Sequence, residues 1–139
     1  MLSIICGEKG KRKTVHLLEK ANTAVKEAQG NVVYLDKSCK NMYQLNNKIR
    51  LINVCDYPYV SSDGFIGFVM GLISGDHDLE YIFLDSFLKL ACLEVSEITS
   101  TVDILEKLGE KYNIHFVLSV SANLEELPEN AKKDVILSL

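Results

Sequence analysis

The chain has 139 residues, 47% hydrophobic and 24% charged, with eight glycines and two prolines. Such a balance predicts one globular domain over residues 1–139, with a real core, and excludes a fibrous or disordered chain. A net charge of −4 does not indicate nucleic-acid binding by the chain as a whole.

Residues 2–6 form a short continuous apolar run, as in a strand buried on both faces of a parallel sheet. The stretch Gly7-Glu8-Lys9-Gly10-Lys11-Arg12-Lys13-Thr14 follows. Strand, glycine-bearing loop and helix is the setting of a phosphate-binding P-loop, G-x-x-x-x-G-K-[ST]. Gly7, Lys13 and Thr14 fit that pattern, and Arg12 stands where it asks for the second glycine. Lys9, Lys11, Arg12 and Lys13 crowd this one loop, which suits phosphate. The alternative is a cationic turn at a strand–helix junction.

Leu18, Ala21, Val25 and Ala28 then recur at helical spacing, and Gly30 reads as the helix stop. Residues 31–36 form a second strand, β-branched and aromatic. A polar helix is expected over 39–48 and a third strand over 49–54. Pro58 breaks the chain. Ser61, Ser62 or Asp63 can cap a helix reaching Ser74 and closed by Gly75. Gly64, Gly67 and Gly71 within it suggest a face packed closely on the sheet.

Residues 79–84 form a fourth strand ending at Asp85, and 87–93 a short apolar helix. Ser100 and Asp103 are spaced as a capping box for the next helix, marked by Ile104, Leu105, Leu108 and Tyr112. Residues 114–120 give a fifth strand, 124–133 a helical segment broken near Pro128, and 135–139 a sixth. Strands alternating with helices predict an α/β fold, a mostly parallel sheet of five to six strands sandwiched by helices. Gly7–Thr14, Asp36, Asp85 and Ser119–Ser121 then share the carboxyl edge, where ligands bind in such sheets.

Four apolar residues ending in Asp, Tyr81 to Asp85, make a Walker B pattern whose carboxylate would hold magnesium. Lys13 would pair with the β- and γ-phosphates and Thr14 would ligate Mg²⁺. Asp36 can cap its own turn. Ser119 and Ser121 read as turn residues, and Tyr57 and Tyr59 as rim packing or base stackers. Asp76-His77-Asp78 reads as an exposed acidic turn in preference to a metal site.

Cys6, Cys39, Cys55 and Cys92 form no C-x-x-C pair, and Cys6, Cys55 and Cys92 read as small buried residues of a protein in a reducing cytoplasm. There is no charged leader before a long apolar segment, and the greasiest run, 65–73, is too short to span a bilayer.

Leu84-Asp85-Ser86-Phe87 resembles the Walker B segment of the RecA-like P-loop ATPases, which include replicative helicases and circadian-clock ATPases. Val33-Tyr34-Leu35-Asp36 is similar to their second strand, which ends in a catalytic Glu, and Asn53-Val54-Cys55-Asp56-Tyr57-Pro58 to their third strand and its turn. Leu118-Ser119-Val120-Ser121 resembles the strand whose polar end senses the γ-phosphate. Thymidine kinases share much of this layout, and so do small bacterial P-loop proteins. The resemblance implies a RecA-like three-layer fold that binds ATP or a related nucleotide with Mg²⁺, with slow hydrolysis or a switching role. Asp36 and Asp85 are then the catalytic candidates, and Thr14 and Asp85 hold the metal. A homo-oligomer or protein partner is implied if the site is completed in trans. Arg12 for Gly, and Ser86 where many relatives carry Glu, favour the alternative of a degenerate ATPase kept as an interaction module. A nucleoside kinase is the third reading.

Overall fold

A computed structural model describes residues 1–139. Six strands, β1 (Leu2–Gly7), β2 (Asn31–Asp36), β3 (Arg50–Asn53), β4 (Leu79–Leu84), β5 (His115–Ser121) and β6 (Val135–Ser138), form one sheet in the order β3-β2-β4-β5-β1-β6. Every strand pairing is parallel. Five helices connect them: α1 (Lys13–Glu27), α2 (Ser62–Gly75), α3 (Phe87–Ala91), α4 (Thr99–Tyr112) and α5 (Glu129–Lys132). The expected α/β fold is therefore present, with six strands and no antiparallel member.

Alternation along the strands sorts side chains between the two faces. Val33, Leu35, Ile82, Leu84, Phe116 and Leu118 join Phe65, Val69 and Ile73 of α2 and Val102 and Leu105 of α4 in a cluster of 26 buried residues. On the other face, Ile5, Val32, Tyr34, Phe83 and Val117 meet Leu17, Leu18, Ala21 and Ala24 of α1 in a cluster of only 11. That thinner layer ends, at the carboxyl edge, in Asp36, Asp85 and Ser119, which follow Tyr34, Phe83 and Val117 two residues on. The polar site is thus a continuation of the α1-side core.

Several local expectations are corrected. Residues 39–48 contain only a 3-10 turn, Met42–Gln44. The segment lacks an apolar stripe. It is pinned by Leu45 and Ile49 in the core and by Asn22, whose Nδ2 donates to the Gln44 carbonyl and whose Oδ1 accepts from the Asn46 N–H, both at 2.8 Å. Gly30 does not supply a left-handed helix cap, for α1 ends through Ala28 in extended conformation. Glycine is needed there for close approach, since a Cβ would collide with the Asp78 carbonyl. Gly67 and Gly71 face open space, and the buried stripe of α2 is Phe65, Val69 and Ile73. Ser61 is the residue that caps α2, accepting from the Gly64 N–H at 3.1 Å.

The Ser100–Asp103 capping box does not form. Glu94 and Glu97 make one a turn earlier, so α4 begins as a continuation of that turn, and Asp103 pairs with Lys107 at 3.2 Å. The helix expected over 87–93 ends at Ala91, where Cys92 turns left-handed. Cys6 is buried, but Cys55 and Cys92 are exposed, because each sits just past an apolar run. No helix is long and apolar enough to cross a membrane.

Candidate functional site

Register brings the site residues together. Leu84 pairs with Leu118 and Ile5 with Ser119, so β5 lies between the strand that leads into the loop and the strand that ends in Asp85. The Asp85 N–H donates to the Leu35 carbonyl at 3.0 Å, tying the end of β4 to β2. Asp85 is 2% exposed. Its Oδ1 accepts from Ser119 Oγ at 2.8 Å and from Thr14 Oγ1 at 3.2 Å, and its Oδ2 accepts from the Tyr34 hydroxyl at 2.8 Å. Ser119 Oγ in turn accepts from the Ser86 N–H at 2.7 Å. A buried carboxylate needs such donors to offset lost hydration. Burial pushes the Tyr34 hydroxyl pKa up, and Asp85 adds to that, so the phenol stays a donor.

The loop is closed on its own lysine. Lys13, buried at the first position of α1, donates from Nζ to the Glu8 carbonyl at 2.9 Å, and the Lys11 N–H donates to the same oxygen at 3.2 Å. Burial lowers the Lys13 pKa, against the opposing pull of Asp85. The Glu8 side chain turns outward to accept from Asn123 Nδ2 at 2.9 Å. Gly10 has φ +90 and Arg12 φ 62, ψ 34. Arg12 takes the left-handed conformation that glycine adopts freely. That conformation costs an L-residue roughly 1–2 kcal/mol. Arg12→Gly should raise unfolding free energy by up to about 1 kcal/mol in urea titrations, glycine's greater unfolded-state freedom offsetting the remainder.

Asp36 ends β2 beside Asp85, but its carboxylate is held by its own turn. Oδ1 accepts from the Lys37 N–H at 2.7 Å and Oδ2 from Asn41 Nδ2 at 3.4 Å. Burial raises its pKa, the nearby Asp85 raises it further, and the Lys37 N–H, Asn41 and Lys40 oppose the shift. A raised folded-state pKa means the native protein favours the protonated form, so the ionised carboxylate costs stability above that pKa. The cost disappears as pH falls toward the unfolded value of about 3.9. Asp36→Asn should thus raise Tm at pH 7, with the gain shrinking toward pH 4 in thermal scans.

A cleft of about 520 Å³ opens at this edge, lined by Thr14, Asp85, Ser86, Ser119 and Ser121 and by cations from the loop and from two other elements. Lys9, Gly10, Arg12 and Lys13 all reach its wall. Tyr59 lies elsewhere: half-buried, it packs on Phe65 and Phe68 and donates to the Leu90 carbonyl at 2.7 Å, while Tyr57 packs at an angle to Phe68. Both tyrosines take the rim-packing role. Asp76 accepts from Asn31 Nδ2 through both carboxylate oxygens and from the Asp78 N–H at 2.9 Å, so it is occupied in its own turn. Sequence reasoning missed Tyr34, Lys40 and Lys89. Tyr34 had a signal: it shares a strand face with Asp36, and a buried tyrosine hydroxyl needs a partner.

A parallel six-stranded sheet in this order, layered between helices, with a glycine-bearing loop entering the first of them, is a RecA-like α/β fold. The crystal structure of flagellar accessory protein FlaH from Methanocaldococcus jannaschii is similar to it, with a TM-score of 0.62 and 19% identity over 95% of this chain. The chain spans 65% of that protein's length. No protein-family model matches the sequence, and no curated protein does.

Proposed function

We propose that residues 1–139 act as one nucleotide-binding unit that takes ATP, or a related nucleoside triphosphate, with Mg²⁺ in the cleft between the loop and Asp85. The observation that carries this reading is the shared hydrogen-bond set: Thr14 and Ser119 meet on one oxygen of Asp85, with Lys13 at the base of the loop beside them. The donor set fits magnesium. Hydroxyl and carboxylate oxygens are hard ligands, and Mg²⁺ commonly takes one or two from the protein and the rest from phosphates and water. A volume of about 520 Å³ falls in the range of small-ligand pockets. The magnesium would supply neutralisation of charge on the β- and γ-phosphates. Lys13, released from the Glu8 carbonyl, pairs with phosphate oxygens. The N-terminus of α1 adds its oriented N–H groups. Gly7, Glu8, Lys9, Gly10, Lys11 and Arg12 complete the cradle through the loop backbone.

Asp36 supports a slow enzyme or a switch over a fast one. Its oxygens are already engaged by Lys37 and Asn41, so activating water requires loosening its own turn. The same observation favours the second reading, a binder that retains the fold without hydrolysis. Calorimetric titration with ATP, with and without Mg²⁺, tests the proposal. Saturable heat that depends on Mg²⁺ supports it, and its absence overturns it. Phosphate release under saturating ATP then separates a slow ATPase from a binder.

A further inference from the structure

The cleft carries more positive charge than the loop alone explains. Lys40, from the segment after β2, and Lys89, from α3 after β4, line it together with Lys13. The ion pairs of this protein involve Lys107, Lys132 and Lys133, and neither Lys40 nor Lys89 makes one. The one carboxylate in the cleft wall, Asp85, already accepts from three hydroxyls. Two lysines on separate elements therefore line the same polar cleft, and neither forms an ion pair with a protein carboxylate. Lys40 follows β2 by four residues, next to Asn41, whose Nδ2 donates to Asp36, so it belongs to the β2–β4 end of the site, where its charge favours the ionised Asp36.

We propose that Lys40 and Lys89 bind the terminal phosphoryl group of a nucleoside triphosphate, so that one chain supplies its own γ-phosphate cations. This rests on the nucleotide reading above. The direction follows from topology. Lys13 and Thr14 begin α1, which follows β1, and Asp85 follows β4, two strands away across β5. A phosphate chain gripped by Lys13 and carrying a metal toward Asp85 runs from the β1 side to the β4 side. Its free end then meets groups that follow β4 and β2. Lys89 and Lys40 are the cations on those elements, whereas Lys9 and Arg12 belong to the loop. Only two arginines occur in the chain, Arg12 and Arg50, and Arg50 opens β3 at the opposite edge of the strands.

The consequence is discrimination by phosphate number. ATP should bind more tightly than ADP, and the two lysines should account for the difference. A charge-assisted hydrogen bond lost from such a pair corresponds to about tenfold or more in affinity. The test measures Kd for ATP·Mg and ADP·Mg on the wild type, Lys40→Ala, Lys89→Ala and the double variant, with Lys48→Ala as a control outside the cleft. Both lysines are exposed, so folding is checked simply by an unchanged thermal transition. The expected result is that ATP weakens about tenfold in each single variant and the ATP/ADP ratio collapses in the double one, while ADP shifts little. Equal loss for both nucleotides, or no loss in either, overturns the lysine assignment and leaves the nucleotide site standing. A wild type that binds neither nucleotide overturns both. ATP affinity that rises with protein concentration would mean that a second chain supplies the cation, which also overturns the assignment.

Discussion

Lys13→Ala should abolish ATP·Mg binding, weakening it about 100-fold or more, while leaving the protein folded. The ammonium is the one buried cation of the cleft. It is positioned by the first turn of α1 and by the Glu8 carbonyl at 2.9 Å. Bonds from a charged donor to phosphate contribute about 1.5–3 kcal/mol each. Losing two of them corresponds to roughly two to four decades of affinity. The structural cost is small, because Glu8 is exposed and its carbonyl keeps the Lys11 N–H. Calorimetry and thermal denaturation on the same samples separate the effects. Retained ATP affinity in this variant would place the ligand elsewhere on the molecule. Lys13→Arg should fail nearly as badly, since a planar guanidinium fork cannot occupy a point-charge position inside a tight loop.

Asp85→Ala should be the most damaging single change to both stability and binding. Asp85 gathers Tyr34, Ser119 and Thr14. Tyr34 and Ser119 are buried, so alanine leaves their hydroxyls without an acceptor and opens a cavity between β2, β4 and β5. Each orphaned buried group costs about 1–3 kcal/mol. Relief of the repulsion with Asp36 returns part of that, and a net loss of about 3 kcal/mol is expected, measured by urea unfolding. Asp85→Asn keeps the shape and acceptance through its amide oxygen, so it should lose clearly less stability. It should nevertheless lose the Mg²⁺ dependence of nucleotide binding, because a neutral amide is a poor magnesium ligand. A stable Asp85→Asn variant that binds ATP with unaltered Mg²⁺ dependence would assign Asp85 a purely structural role.

Much of this was legible in the amino-acid order, for identifiable reasons. Strands buried on both faces announce themselves as unbroken apolar runs, which is why β1, β2 and β4 were bounded to within a residue. The carboxyl edge followed from strand–helix alternation, and with it the gathering of Lys13, Asp36, Asp85 and Ser119. What escaped was set by tertiary partners. The 39–48 segment is shaped by Asn22 from another element, not by periodicity. Tyr34 reads as a core aromatic until β4 is laid beside β2. Lys40 and Lys89 look like ordinary surface lysines along the chain, and only their convergence on one cleft distinguishes them. Arg12 illustrates the converse case. The spacing identified the anomaly, but only the backbone showed that the arginine stands in the left-handed conformation that glycine favours.

Strand order also dictates when this site can exist during synthesis. β1 carries the loop, yet it pairs only with β5 and β6, which emerge from the ribosome after β2, β3 and β4. While residues 8–110 are emerging, the nascent loop has no sheet to hold its entry strand, and Ser119 is not yet made. Such distant pairings also slow folding, because long loops must close before contacts form. A chain stalled before His115 should therefore be unable to recruit nucleotide and should expose Ile4 and Ile5 to chaperones. The loop's own strand is thus among the parts of the sheet fixed latest in chain order.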